Sequence, residues 1–217
     1  MWLKGVVMKA HYNGLIPRNP FIQFHISPNV KEREYLTEDE LKAVMTHEFA
    51  DSKLAYIRDI FIFASFTALS FVDIQELTND NIVEVNGEKW ILSKRHKTKV
   101  AFQVKLLDIP LQIVERYRPM QKDNRIFPGL NYWSICKPLK RMIRECGITK
   151  SISFHCSRHG FATLALSKGM PIESVSRVLG HTNIVTTQIY AKITTQKLDN
   201  DQTTVSYTHL TLPTIRL

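Results

Sequence analysis

In "FHCSRHGFATLAL", residues 154–166, His155, Arg158 and His159 fall within five positions, beside an otherwise apolar run. Two imidazoles and a guanidinium are costly to bury unpaired, so the segment implies something for them to hold. "LGHTN" supplies His181 just past a glycine, and "TTQIYAKI" supplies Tyr190 nine residues later. Upstream, "KRHKTK" places Lys97 in a basic turn. A guanidinium, imidazoles, an ammonium and a phenol suit one job: clamping a phosphodiester and attacking it with a tyrosine. No carboxylate cluster, P-loop or HExxH motif accompanies them. The sequence therefore gives no support for metal-dependent or nucleotide-driven chemistry, and no metal or cofactor is expected. Each residue also has a plainer reading. A lone tyrosine on an amphipathic helix is ordinarily packing, His181 could simply complement a helix C-terminus, and Lys97 could be a solvated turn residue. His159 is assigned to structure, as a group that hydrogen-bonds within the fold and orients its neighbours.

The pattern around these residues indicates the elements that carry them. "HCSRHGFATLALSKGM" reads as a helix closed by Gly169, "PIESVSRVLGH" as a helix from Pro171 to Gly180, and "NIVTTQIYAKI" as a last helix. "YLTEDELKAVM" begins a helix with Thr37 as N-cap, Glu40 three residues on and Leu36 as staple; it should run to about His47. A buried helix follows over 53–69, then a third from near Val72 to before Asn79. Between 82 and 104 the period changes to two, with Asn86-Gly87 as a hairpin signal and a second turn near Lys97-Thr98, so three short antiparallel strands are expected. Helices at "PLQIVERYRP" and "WSICKPLKRMIRECGI" complete the set. The fold class is thus mostly α with a small antiparallel three-stranded sheet.

Composition narrows the partner. Among 217 residues, 29 Lys and Arg stand against 20 Asp and Glu, a formal charge of +9, with a pI near 9.5. That excess points to a polyanion, most often nucleic acid. Three cysteines, Cys136, Cys146 and Cys156, with no CxxC pair, argue against a disulfide framework or thiolate zinc site and are expected to be small buried residues. The start lacks an apolar signal region, and the longest apolar stretch, 57–72, is broken by Arg58 and Asp59 and too short to span a membrane. A cytoplasmic, nucleoid-associated protein with no membrane partner is expected.

The ordered series H-x-x-R-H-x-F-A-T, L-G-H and I-Y, with a K-T hairpin before it, resembles the catalytic domain of the tyrosine recombinases, or phage-type integrases, over about residues 30–195. The resemblance implies site-specific recombination of double-stranded DNA, without ATP or metal, by a homo-oligomer that reaches a synaptic tetramer when full length. It implies Tyr190 as the nucleophile that takes the 3′ phosphate, and Arg158 and His181 as donors to the phosphate oxygens. His155 would be either a donor or a proton acceptor, and Lys97 the acid for the departing 5′ oxygen. Residues 1–30 resemble the end of a core-binding domain and a Pro-punctuated linker, 31–198 the catalytic domain, and 199–217 a non-native tail.

One family feature is missing. A second arginine belongs in a G-L-R-x-x-E-like motif, where this chain reads "TALSFVDIQEL": Ala68 for glycine, Ser70 for arginine, Asp73 for glutamate. Integrases of conjugative transposons look similar here. Arg95 is the candidate replacement cation: if the strand continues through "LSKRHKTK", Arg95 and Lys97 share a face about 6 to 7 Å apart, and Ser70 leaves room to hydrogen-bond the guanidinium. The rival readings are a catalytically impaired DNA-binding remnant and a type IB topoisomerase-like DNA relaxase.

Overall fold

A computed structural model describes residues 2–22, 34–121 and 123–191. The chain divides into two compact units, residues 1–32 and 33–217. In the first, helix α1 spans Trp2–Tyr12. The proposed tail, 199–217, lies outside the described residues.

The second unit is built on α3 (Ser52–Thr67), whose residues are buried on nearly every side. An all-round apolar helix must be covered on all faces, and α2 (Glu38–Thr46), α5 (Asp108–Tyr117), α6 (Tyr132–Glu145) and α7 (Cys156–Ser167) surround it. The capping signal is realised at α2: Thr37 Oγ1 accepts from the Glu40 N–H at 3.3 Å, and Glu40 returns the bond to the Thr37 N–H at 2.8 Å. α3 stops at Thr67, two residues earlier than the pattern suggested. Ala68 takes the left-handed conformation at φ 55° and frees Ser70 to cap the short helix α4 (Phe71–Gln75).

The sheet has the expected three antiparallel strands in the order β1-β2-β3: Ile82–Val85, Glu88–Lys94 and Ala101–Lys105. Asn86 and Gly87, at φ 52° and 77°, make the first turn, as a hairpin with positive φ at both positions requires. Ile91, Phe102 and Val104 face the core. α8 (Ile172–Leu179) packs against β3 and α7, and α9 (Val185–Ala191) closes on α7 and α8. A second, small core of Ala68, Ala162, Leu166, Val175 and Leu179 surrounds the ring of Tyr190. Among the described residues no helix is long and apolar enough to cross a membrane.

Candidate active site

Three helices and a hairpin converge here. The first turn of α7 buries two basic side chains: Arg158 and His159 are 8% and 6% exposed. Arg158 donates through Nη1 to the Ala68 carbonyl at 2.9 Å and through Nη2 to the Leu179 carbonyl, which tie it to the ends of α3 and α8. Burial, then the nearby Arg95 charge, pushes its pKa down to about 10, so it stays cationic near neutrality. From α9, Tyr190 is 5% exposed, and its hydroxyl lies 2.7 Å from His159 Nδ1. His155, at the N-cap of α7, is exposed, and its ring meets that of His159 edge-on at 4.6 Å. His181 follows Gly180 at the end of α8; its Nδ1 is 2.8 Å from Thr187 Oγ1. Burial, followed by the charges of Arg158 and Arg95 and the neighbouring His155, lowers the His181 pKa to about 4, so the ring is neutral at pH 7.

Arg95 joins the same group. It is 5% exposed and lies over the Phe102 ring at 4.1 Å. Its Nη1 donates to Asp73 Oδ2 at 2.8 Å and its Nη2 to the Val178 carbonyl at 2.6 Å, while Nε has no partner among the described residues. Burial raises the Asp73 pKa, but the His96 N–H, the Arg95 guanidinium and the Ser70 hydroxyl outweigh it and hold the carboxylate below its usual range. Arg158, Arg95, His181 and three further imidazole or phenol groups thus meet around a single carboxylate. The two buried guanidiniums carry more positive charge than Asp73 alone balances, and a phosphodiester is an anion of matching chemistry.

The sequence profile described as the phage integrase family matches residues 34–197. The chain belongs to the phage integrase family. It is 32% identical over 177 residues to the tyrosine recombinase XerA of Pyrococcus horikoshii, a match covering 75% of this chain and 58% of that protein. It is 27% identical over 211 residues to the tyrosine recombinase XerC of Lactobacillus leichmannii, covering 90% and 71%. Its fold is that of solved recombinases. The integrase of transposon Tn1549 on circular-intermediate DNA superposes with a TM-score of 0.75 at 18% identity, covering 87% of this chain and 71% of that one. A lambda integrase dimer bound to a COC′ core site gives 0.69 at 18%, covering 87% and 56%.

Of the family positions, Tyr190, Arg158, His181 and His155 come together, with Arg95 beside them. Lys97 does not: it is exposed in the turn 96–98 and bonds to none of these groups. The expectation that Arg95 and Lys97 share a strand face is therefore corrected. β2 ends at Lys94, and the Lys99 N–H returns to the Arg95 carbonyl at 2.8 Å with Lys99 at φ 57°, so the alternation stops at Arg95. The expected Ser70–guanidinium bond is also corrected. Ser70 Oγ donates to Asp73 Oδ2 at 2.7 Å, and that oxygen also receives Arg95, so the carboxylate stands between them. Cys156 is buried as expected, but Cys136 and Cys146 are only half-buried. His159, expected from the sequence to hydrogen-bond within the fold and orient its neighbours, touches the tyrosine. One residue was missed: Thr187 touches His181, hinted at by its i−3 spacing from Tyr190.

Proposed function

We propose that this chain carries the catalytic centre of a tyrosine recombinase that cuts and rejoins double-stranded DNA at specific sites. It spans 58% of the XerA protein it matches, so activity, substrate and assembly are assigned here as those of a longer chain's catalytic part. Residues 1–30 are assigned to the end of a core-binding domain and 31–198 to the catalytic domain. One observation carries the reading: a buried tyrosine hydroxyl hydrogen-bonded to an imidazole, close to two buried guanidiniums of which one is paired with a carboxylate.

In the proposed step Tyr190 Oη attacks the scissile phosphorus. The new bond is a 3′-phosphotyrosine, and the bond to the 5′ oxygen breaks. The phenolic proton passes to the imidazole in contact with it, His159 Nδ1. Arg158 and Arg95 bind the non-bridging oxygens; the unpartnered Nε of Arg95 supports that use. His181 and His155 donate further hydrogen bonds. Lys97, on the exposed hairpin turn, protonates the departing 5′ oxygen as DNA draws the turn inward. The phosphotyrosine bond retains the energy of the phosphodiester, so rejoining needs no ATP or metal. Arg95 thereby stands in for the arginine that Ser70 replaces, with Asp73 holding it. We assign the working form as a homo-oligomer on DNA, a reading the lambda integrase dimer supports.

A pool of nicked duplexes with randomised sequence tests this. The wild-type chain should form a denaturation-resistant adduct enriched for particular sequences, and Tyr190→Phe should form none. Binding without any adduct would make the chain a remnant, and adducts without sequence enrichment would favour a topoisomerase-like relaxase.

A further inference from the structure

The face of α9 that carries the tyrosine also carries a threonine for which that chemistry has no use. Val185, Thr186, Gln188 and Ile189 are exposed, whereas Thr187 and Tyr190, three positions apart, are buried at 0% and 5%. A buried helical threonine ordinarily turns its hydroxyl back to the carbonyl four residues earlier. Here the hydroxyl instead meets His181 Nδ1 at 2.8 Å, its one hydrogen-bond partner among the described residues.

That contact decides what His181 can offer a phosphate. A neutral imidazole has one N–H and one bare nitrogen, and the partner of the first nitrogen selects which is which. A carbonyl or carboxylate at Nδ1 would draw the proton there and leave Nε2 as a lone pair facing an anion. A hydroxyl can accept or donate, but this buried one has no other acceptor among the described residues; with its O–H aimed at Nδ1, that nitrogen stays bare and the proton sits on Nε2. We infer that Thr187 is a positioning residue that fixes His181 as its Nε2–H tautomer, so that a neutral ring acts as a phosphate donor. The bond also ties the loop after α8 to the helix of the nucleophile: phosphate donor and attacking hydroxyl are set by one face of α9, through Thr187 to His181 and through Tyr190 to His159.

The inference rests on the assignment of His181 as a phosphate ligand, and its test separates the two. Nitrogen-15 NMR of the full chain with labelled histidine reads the tautomer without DNA. Wild type should show His181 with a bare Nδ1 and a protonated Nε2. Thr187→Val, equal in shape but without the hydroxyl, should give a tautomer mixture, and Thr187→Ser should restore the wild-type pattern. On nicked DNA, Thr187→Val should form adduct roughly ten- to a hundred-fold more slowly, less than the roughly hundred- to thousand-fold loss of deleting a donor outright, and Thr187→Ser should recover most of the rate. A proton on Nδ1 in wild type, or an unchanged tautomer in Thr187→Val, overturns the inference. A shifted tautomer with an unchanged adduct rate overturns its catalytic part by removing His181 from the phosphate.

Discussion

Gly180 is where the L-G-H motif and Arg95 meet. Its φ of 62° favours glycine, and a Cβ built there would lie 2.8 Å from Arg95 Nε and 3.0 Å from Arg95 Cγ. The same residue therefore turns the chain from α8 to His181 and leaves space for the guanidinium. Gly180→Ala should lower stability by about 1 to 2 kcal/mol from the left-handed backbone alone, and more from the collision with Arg95. In a urea-denaturation cycle with Arg95→Ala, the collision part disappears, so the double variant should lose less than the sum of the two singles. Strict additivity would place Arg95 elsewhere. At this scale the sequence was informative about proximity: His155, Arg158, His181 and Tyr190, singled out by type and spacing, do come together. The bonds of Arg95 were not legible. They depend on a carboxylate 22 residues before it and a carbonyl 83 residues after it, which only the packing of α8 against β3 brings together. Ser70 had been read as a space for the guanidinium. It is a helix cap: a serine three residues before Asp73 is a local N-cap signal, and its hydroxyl bonds that carboxylate.

At the scale of elements, α3 holds the unit together, and its one buried carboxylate shows how. Asp59 is 2% exposed. Its Oδ1 accepts from Arg58 Nε at 2.9 Å, and its Oδ2 from Arg116 Nη1 at 2.7 Å and Tyr117 Oη at 2.8 Å. A charge this deep is tolerated only when its oxygens are all engaged, and these donors fasten α3 to α5. Asp59→Ala would leave the Tyr117 hydroxyl and Arg58 Nε without their acceptor, while Arg58 Nη1 keeps the His47 carbonyl. It should cost on the order of 3 kcal/mol, read as a lowered denaturation midpoint, while the folded fraction still binds DNA. A loss below about 1 kcal/mol would mean that apolar packing alone joins the two helices. The apolar run around Asp59 announced a buried helix, and the turn residues announced the hairpin, because both signals are periodic or local. The end of α3 was misjudged by two residues. A left-handed alanine at position 68 leaves no trace in composition, and only its contacts with Arg158 and the second core explain it.

For the whole molecule, the two cores divide the labour. The large one gives α3, the sheet and α6 a fixed frame, and the small one seats the ring of Tyr190 between α7, α8 and α9 with its hydroxyl on His159. The charge of +9 would attract the DNA of the proposed function at long range. The proposed function gives the two buried guanidiniums one phosphate to hold, Arg95 being steadied by Asp73 and Arg158 by two carbonyls. The proposed function turns on a single bond, between Tyr190 Oη and a 3′ phosphate. The most direct test is to trap the chain on a nicked duplex labelled in turn at either side of the cut, digest the adduct and locate the nucleotide by mass spectrometry. The label on the 3′-phosphate side should remain on the peptide that contains Tyr190, and nowhere else. A nucleotide attached through its 5′ phosphate, or found on any other residue, would contradict the assignment.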